Sequence, residues 1–183
     1  TINLPSGMIT LTNNLPEITQ SITITGQGMG DTTIDGDGLY KIFGAEGGGQ
    51  VDISISDLTI LSFIDFAIKT NGNGIGDINL SGIEIDGIGS DFTSSTGAIS
   101  LEQSVGNFLV SARDIWIHDI TTPGNGEGVF RILKGGSSSS EGTMTVDVEN
   151  ITISDVDASA GVGGTAFVIR AGSPSTINNL SMN

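Results

Sequence analysis

Short stretches of alternating apolar and polar residues recur along the chain. In residues 51–60, the apolar positions 51, 53 and 55 are followed by Asp57, after which apolar residues resume at Leu58 and Ile60. The same pattern returns in residues 21–26 (its first half only), 78–85, 108–117, 144–153 and 175–182. Alternation with a period of two predicts β-strands that have one buried face. A unit that recurs with irregular insertions predicts a repeat architecture.

Each repeat has a small or polar residue where the alternation is interrupted. These residues are Gly26, Asp57, Gly82, Asp114, Asn150 and Asn179, separated by 31, 25, 32, 36 and 29 residues. Glycine, aspartate and asparagine enter the left-handed backbone region at the least steric cost. We therefore expect a sharp turn with left-handed backbone at each of these positions.

Alignment of the copies on this turn brings aliphatic residues into matching positions. One set contains Ile53, Ile78, Val110 and Val146. A second set contains Ile55, Leu80, Ala112, Val148 and Ile177, and a third contains Leu58, Ile83, Ile115, Ile151 and Leu180. The positions between them are mixed, as in the set Thr59, Glu84, Trp116 and Thr152. Uniform aliphatic sets beside varied polar ones predict a continuous stacked interior with a solvent-facing exterior.

A further strand-like segment follows the longer loop of each repeat. These segments are FAIKT (66–70), GAISL (97–101), GVFRIL (128–133) and TAFVIR (165–170). Short strands with a repeat of 25 to 36 residues are typical of a parallel β-helix, in which the strands of successive coils pair. We therefore predict an all-β solenoid that forms a single domain over residues 1–183, with about six coils and three short strands per coil.

Composition and charge narrow the classes of function. The chain contains 28 glycines and no cysteine, and no apolar run approaches the length of a membrane span. Its 21 acidic and 6 basic residues give a net charge of −15, which disfavours nucleic acid because phosphate contacts need lysine and arginine. These features predict an acidic protein that is extracellular or at the cell surface, without a nucleic-acid partner or a membrane span.

The repeat pattern resembles a known class of β-helix. Together with the segment ITITGQGMGDTTIDG at residues 22–36, it is similar to the right-handed parallel β-helix proteins of the pectate-lyase-like superfamily. The likeness is to the repetitive surface-protein branch that includes autotransporter-type and polymorphic outer-membrane passengers. The resemblance implies a right-handed coil. It does not imply one activity, because lyases, hydrolases, adhesins and inert stalks share this fold.

The predicted β-helix has no capping element at either end. An open end exposes apolar core and unpaired strand edges, so copies stacked head to tail would cap one another and build a fibre. The residues expected at such a contact are Ile2, Leu4, Ile9, Ile177, Leu180 and Met182. The sequence also allows a segment of a longer surface protein, in which the rest of that protein covers the ends, or the ordered portion alone of such a protein.

A polysaccharide-active enzyme is the alternative that the fold suggests. Glycoside hydrolysis needs two or three carboxylates around one groove, and the N-T-D, D-D, G-H-G and R-I-K motifs of polygalacturonase-type hydrolases are absent. The sole histidine, His118, has no glycine neighbours, so we expect it to be a surface residue. Arg113, Arg131 and Arg170 are expected to be exposed strand residues. An enzyme should bring three or more carboxylates together on one outer face, whereas a stalk or fibre should show scattered acids.

Aspartate-rich turns are the candidates for binding calcium, whose ligands are hard oxygen atoms. The candidates are Asp31, Asp35 and Asp37, followed by the pairs Asp86–Asp91 and Asp155–Asp157. The calcium-binding nonapeptide pattern is not matched, and aspartate beside glycine also forms ordinary turns. We therefore expect turn formation at these residues and no cofactor, with calcium binding as the alternative.

Trp116 is the candidate for stacking against a carbohydrate, because the alignment predicts that it faces outward beside Glu84 and Thr152. The sequence thus predicts a non-catalytic structural or adhesive β-helix outside the cell. It would be either a cell-surface passenger segment or a subunit of an extracellular filament. The alternative is a polysaccharide-active enzyme or a carbohydrate-binding module.

Overall fold

The computed structural model describes residues 1–46, 50–72, 75–88, 97–121, 128–135, 142–157, 165–171 and 176–182. These residues contain β-strands and no helix. The strands in the first half are β1 (Ile2–Asn3), β2 (Gly7–Thr10), β3 (Ile22–Thr25), β4 (Thr32–Asp35), β5 (Phe43–Glu46), β6 (Val51–Phe63), β7 (Ile68–Asn71) and β8 (Ile75–Ile88). Those in the second half are β9 (Ile99–Gln103), β10 (Phe108–His118), β11 (Ile120–Thr121), β12 (Phe130–Lys134), β13 (Thr143–Ile153), β14 (Val156–Asp157), β15 (Phe167–Ala171) and β16 (Thr176–Met182).

Strand pairing among the described residues is parallel throughout. The large sheet has the order β1-β3-β6-β8-β10-β13-β16, and β2 and β4 join it beside this path. A second sheet has the order β15-β12-β9-β7-β5, and β11 pairs with β14. From β5 onward the chain alternates between the two main sheets, and each return adds the next strand. The predicted all-β class with parallel pairing is confirmed, and the arrangement is compatible with a parallel β-helix. No helix in the described part of the chain is long and apolar enough to cross a membrane.

The register of the central strands brings the predicted aliphatic sets together. Ile53 pairs with Ile78, Ile78 with Val110, and Val110 with Val146, and all four are buried. The sets that begin at residues 55 and 58 align in the same way across β6, β8, β10 and β13. Burial of one such side chain stabilises the fold by about 1.5–3 kcal/mol. The stacked aliphatic sets therefore form the core that the alternation predicted.

The last repeat departs from the predicted alignment. Ile177 pairs with Met144 and Leu180 with Val146, so each lies closer to the start of β13 than predicted. Ile177 and Leu180 are three residues apart, whereas their partners Met144 and Val146 are two residues apart. One residue between Ile177 and Leu180 must therefore remain without a partner in β13. The pairing shifts at Asn179. The prediction that Asn179 aligns with the turn residue of β13 is therefore wrong.

Four of the predicted turn residues have left-handed backbone, with φ of 60° at Asp57, 60° at Gly82, 52° at Asp114 and 53° at Asn150. Each lies inside one of the long strands β6, β8, β10 and β13. In β6, the last buried position before this residue and the first one after it are three residues apart. The left-handed residue therefore shifts the alternation, so that both halves of the strand direct their apolar side chains into the core.

Gly26 occupies the equivalent position for a different reason. Its φ lies outside the left-handed region, so the left-handed turn predicted at Gly26 is wrong. Its N–H donates to the carbonyl of Ser56 at 2.9 Å. A Cβ at Gly26 would lie 2.0 Å from the backbone oxygen of Asp57. The absence of a side chain thus allows the end of β3 to approach the turn in β6.

A second set of left-handed residues was not predicted. Ser62, Gly87, Asp119 and Asp155 have φ of 50°, 68°, 53° and 51°, and each lies five residues after a residue of the first set. The recurrence of serine, glycine and aspartate at this spacing is visible in the sequence. This second corner positions one member of the site described next.

Candidate functional site

Two adjacent rows of residues cross the outer face of the large sheet. The first row consists of Thr59, Glu84, Trp116 and Thr152. The second row consists of Leu61, Asp86 and His118. Neighbouring members within a row come from adjacent parallel strands, whose spacing of about 4.8 Å brings their side chains into contact.

Glu84 is held by a hydrogen bond on each carboxylate oxygen. The backbone N–H of Gly30 donates to Oγ1 of Thr59 at 2.8 Å, and the Thr59 hydroxyl donates to Oε2 of Glu84 at 2.7 Å. Oε1 of Glu84 lies 3.1 Å from Nε2 of His118. Thr59 is only 5% exposed, so this hydrogen bond is largely sheltered from water. The carboxylate therefore has a fixed orientation toward the imidazole.

His118 is a buried residue, and its predicted place at the surface is wrong. The residue is 9% exposed, and its ring centroid lies 4.0 Å from that of Trp116. Nδ1 lies 2.9 Å from Oδ2 of Asp119 and 3.6 Å from Oδ1 of Asp86. The register places His118 beside Asp86, and Asp119 follows it at the left-handed corner. Neighbours from β8 and from its own strand thus enclose the ring.

The surroundings of His118 favour a positive charge. Burial lowers the pKa of the imidazole, but the hydrogen bonds to Asp119 and Glu84 and the negative charges of Asp86 and Glu84 raise it more strongly. The net result is a pKa above the usual value of 6.5. Three carboxylates therefore lie around one imidazole on one outer face, and such convergence is the feature expected of an enzyme.

A shallow groove, which His118 does not line, lies beside Trp116. The indole is 44% exposed, and the residues that line the groove with it include Met29, Asp114, Asn150 and Thr152. The amide Nδ2 of Asn150 donates to Oδ1 of Asp114 at 2.5 Å, which fixes the polar edge of the groove. An exposed aromatic face beside amide, carboxylate and hydroxyl groups is suited to a sugar ring, which has both apolar faces and polar edges.

The calcium candidates near the start of the chain are not collected into one group of ligands. Oδ1 of Asp35 accepts a hydrogen bond from the N–H of Asp37 at 2.8 Å, which is a turn-forming contact. In the part of the chain that the structure describes, the group with three ligand atoms close together is Asp86, His118 and Asp119. Calcium binding at Asp31, Asp35 and Asp37 stays a prediction. Asp91 lies outside the described residues.

The three arginines have different surroundings. Arg113 is a half-exposed strand residue as predicted, with an ion pair to Asp147 at 2.5 Å. Arg170 is also exposed. Arg131 is only 8% exposed, so its predicted exposure is wrong. Its Nε donates to Oγ of Ser100 at 2.7 Å, and its guanidinium lies 4.9 Å from the centre of the Phe66 ring. Arg131 is thus part of the packing beside the second sheet.

The residues predicted to mediate self-association are described at one end only. Ile2 is 47% exposed, whereas Leu4 and Ile9 are half-buried. At the other end, the structure describes the backbone of Ile177, Leu180 and Met182 as part of β16 but not their side chains. The apolar complementarity of the two ends is therefore still a prediction.

Comparisons of the chain with other proteins add no relative. No known protein family, curated protein or solved structure matches the chain. The parallel sheets are compatible with the likeness to pectate-lyase-like proteins, but no match assigns the chain to a family.

Proposed function

We propose that the chain is a right-handed parallel β-helix of the pectate-lyase-like kind, with about six coils and three short strands in each. We further propose that it acts at the cell surface or outside the cell as a non-catalytic structural and adhesive module. The parallel register of the aliphatic sets supports the proposed architecture. The net charge of −15 supports an exterior location, since it favours solubility and disfavours nucleic-acid partners.

The exposed face of Trp116 is the observation that carries the adhesive role. The indole packs on the imidazole of His118, and it remains 44% exposed where it borders the groove. A ring held in this way loses little conformational freedom when a ligand stacks on it. Because Asp114 lines the groove and the register places Glu84 beside Trp116, we expect this surface to repel anionic polymers. The ligand class that fits is a neutral carbohydrate.

The engagement of the carboxylates favours a binding role over catalysis. Both oxygens of Glu84 are held by Thr59 and His118, and Asp86 and Asp119 are ion-paired with the same imidazole. A general acid in glycoside hydrolysis must be free to protonate the leaving oxygen, and a second carboxylate must face the sugar. Here the carboxylates are directed to His118.

Fluorescence of the single tryptophan tests the adhesive role directly. The purified chain is titrated with soluble neutral polysaccharides (a β-glucan, a mannan and a xylan), with pectate as the anionic comparison. We expect a saturable change of Trp116 emission with one or more neutral polymers and none with pectate. In affinity electrophoresis, Trp116→Ala should bind at least about tenfold more weakly. Leu39→Ala is the matched control, because Leu39 is 57% exposed outside the groove. Absence of binding to all polymers, or equal binding by Trp116→Ala, would contradict the proposal.

The convergence of Glu84, Asp86 and Asp119 on His118 favours a second candidate, a polysaccharide-active enzyme. Release of reducing ends and of unsaturated products from the same polysaccharides tests it. If the chain releases products and Glu84→Gln abolishes this activity, the enzyme proposal replaces the non-catalytic one. If no polymer yields a product, the enzyme candidate is rejected and the binding role is retained.

For the filament-forming role, we propose that copies of the chain stack end to end. In the described residues β1 pairs only with β3 and β2 only with β4, while Ile2 and Met8 are 47% and 64% exposed. A second copy that added strands at this edge would cover both side chains. Light scattering over a concentration series, with electron microscopy, should show larger particles that disappear in Ile2→Lys and Met8→Lys. A monomer at all concentrations would exclude stacking.

A further inference from the structure

We propose that Asp86, His118 and Asp119 form a binding site for a divalent transition-metal ion, with zinc as the best-fitting ion. The ligand atoms are Nδ1 of the imidazole and one carboxylate oxygen from each aspartate, and they all lie within 4.8 Å of one another. A nitrogen ligand together with carboxylate oxygens suits zinc, cobalt or nickel, whereas calcium and magnesium prefer oxygen ligands alone. This proposal does not depend on carbohydrate binding.

The orientation of His118 prepares one ring nitrogen for an ion. Nε2 lies 3.1 Å from Oε1 of Glu84, which is not one of the three ligands. When Nε2–H donates to this carboxylate, the lone pair of the neutral imidazole is on Nδ1 and points to the side of Asp86 and Asp119. Histidine ligands of metal ions usually have such a carboxylate on the second nitrogen, because it fixes the tautomer and raises the basicity of the ligand.

The packing of the imidazole makes this arrangement rigid. The residue is 9% exposed and lies against Trp116, and Glu84 is itself held by the buried hydroxyl of Thr59. Asp86 and Asp119 retain side-chain exposures of 42% and 66%. The nitrogen ligand is therefore fixed, while the oxygen ligands remain accessible to solvent. Water can complete the coordination of an ion held there.

The excess of negative charge around His118 also favours a bound cation. Glu84, Asp86 and Asp119 all have His118 as their ion-pair partner. In the described parts of the chain, the ion pairs of lysine and arginine are made with other acids. A protonated imidazole offsets only one of the three negative charges. A divalent ion at Nδ1 would offset two of these charges. It would also lie between the lone pair of Nδ1 and those of the carboxylate oxygens, which otherwise repel one another.

The sole histidine permits a direct test. Protein labelled with ¹⁵N at histidine is treated with a chelator and titrated with ZnCl₂ while its two ring nitrogens are followed by NMR. We expect one equivalent of zinc to shift the Nδ1 resonance strongly while Nε2 keeps its proton. Addition of CoCl₂ should give the visible absorption of a cobalt ion bound to nitrogen and oxygen. CaCl₂ should give neither signal at the same concentration.

Variants distinguish this site from nonspecific binding to an acidic surface. Asp119→Asn and Asp86→Asn each remove one ligand charge, and asparagine keeps the left-handed conformation accessible at position 119. Each variant should lower zinc affinity at least tenfold in calorimetry, and Glu84→Gln should lower it about 10- to 100-fold through the loss of the orienting carboxylate. The matched control is Asp155→Asn, because Asp155 is left-handed at the same corner but follows serine instead of histidine. Circular dichroism verifies that each variant is folded.

Two results would overturn the proposal. One is an unchanged pair of histidine resonances with both nitrogens protonated, which would show that the imidazolium alone fills the site. The other is zinc binding of equal strength in Asp119→Asn, Asp155→Asn and the parent chain, which would show diffuse binding to surface acids. Because the readout is the imidazole itself, the result is independent of any effect of carbohydrate on Trp116.

Discussion

Oε1 of Glu84 lies 3.1 Å from Nε2 of His118, although the two residues are 34 positions apart in the chain. The contact joins β8 to β10 on the outer face of the large sheet, where the other oxygen of Glu84 accepts a hydrogen bond from Thr59. Glu84 therefore has a structural role in addition to any role in binding.

Replacement of Glu84 by alanine should destabilise the fold. The change leaves the buried Thr59 hydroxyl and the imidazole of His118 without their shared acceptor, and we expect a loss of about 1–3 kcal/mol in the free energy of unfolding. Denaturation in urea measures this loss. Glu149→Ala is the control, since the half-exposed Glu149 lies 3.8 Å from Arg113 and such pairs contribute about 0–1 kcal/mol. Equal effects of the two changes would show that the hydrogen bonds of Glu84 add no stability.

Replacement of Lys134 by methionine should stabilise the fold. Lys134 is 2% exposed, and its Nζ has no hydrogen-bond partner among the described residues. Methionine keeps the apolar volume without the buried amine, so we expect a gain of about 1–3 kcal/mol at neutral pH. Lys41→Met, at a half-exposed lysine, should change stability by less than about 0.5 kcal/mol. Destabilisation by Lys134→Met would indicate that the amine makes a favourable contact.

The effect of Lys134 should depend on pH in a defined direction. Burial lowers the pKa of this lysine in the folded protein below its usual value of 10.5. The unfolded chain therefore binds the proton more strongly, and the destabilisation is fully present below the folded pKa. As the pH rises from the folded pKa toward 10.5, the parent chain gains stability from this group. The advantage of Lys134→Met, measured by urea denaturation at several pH values, should shrink over this interval. A constant advantage would contradict the lowered pKa.

Gly26→Ala should be among the most damaging single changes. The added Cβ would lie 2.0 Å from the backbone oxygen of Asp57, and backbone atoms cannot rotate away as a flexible side chain can. We expect a loss of about 3 kcal/mol or more, since β3 would have to move away from β6. At Gly30, with φ of 79°, a Cβ would meet nothing within 4 Å. Gly30→Ala should therefore cost only the left-handed penalty of about 1–2 kcal/mol. Thermal unfolding of both variants compares the two costs, and a smaller loss for Gly26→Ala would contradict the close approach.

The left-handed turn at Asn150 should tolerate glycine but not valine. Its φ is 53°, which a β-branched residue adopts only at high cost. We expect Asn150→Gly to be nearly neutral or mildly destabilising and Asn150→Val to cost about 1–2 kcal/mol beyond that. Ile153→Val is a control for a change of size in the same strand, at a partly buried residue. Equal stability of the glycine and valine variants at position 150, in the same urea experiment, would show that the turn can rearrange.

Most of the large sheet was predictable because its repeats share one period. The alternation around Ile53 and the turn at Asp57 were sufficient to predict how β6 aligns with β8, β10 and β13, and the observed register agrees. The alignment of β16 was predicted wrongly because the spacing of its apolar residues differs from that in β13. The local sequence does not show which residue of β16 remains unpaired. That choice depends on contacts with β13.

The site was only partly predictable. The alignment already placed Trp116 beside Glu84, and its continuation by two residues places His118 beside Asp86. His118 was nevertheless expected at the surface, because its immediate neighbours in sequence do not show that a ring from its own strand covers it. The burial of Arg131 depends likewise on Phe66, a residue far away in the chain.

The pairing order of the large sheet has an evolutionary consequence. Within the ranges that the structure describes, β8, β10 and β13 each pair only with the strand before and the strand after them on the main path. Duplication or deletion of a whole repeat would thus preserve the pairing while it changes the length of the protein. The contact between Glu84 and His118 belongs to two successive repeats. A new repeat inserted between β8 and β10 would separate them, so a lineage with an insertion at this point should lose the site, whereas a change in repeat number elsewhere should leave it intact.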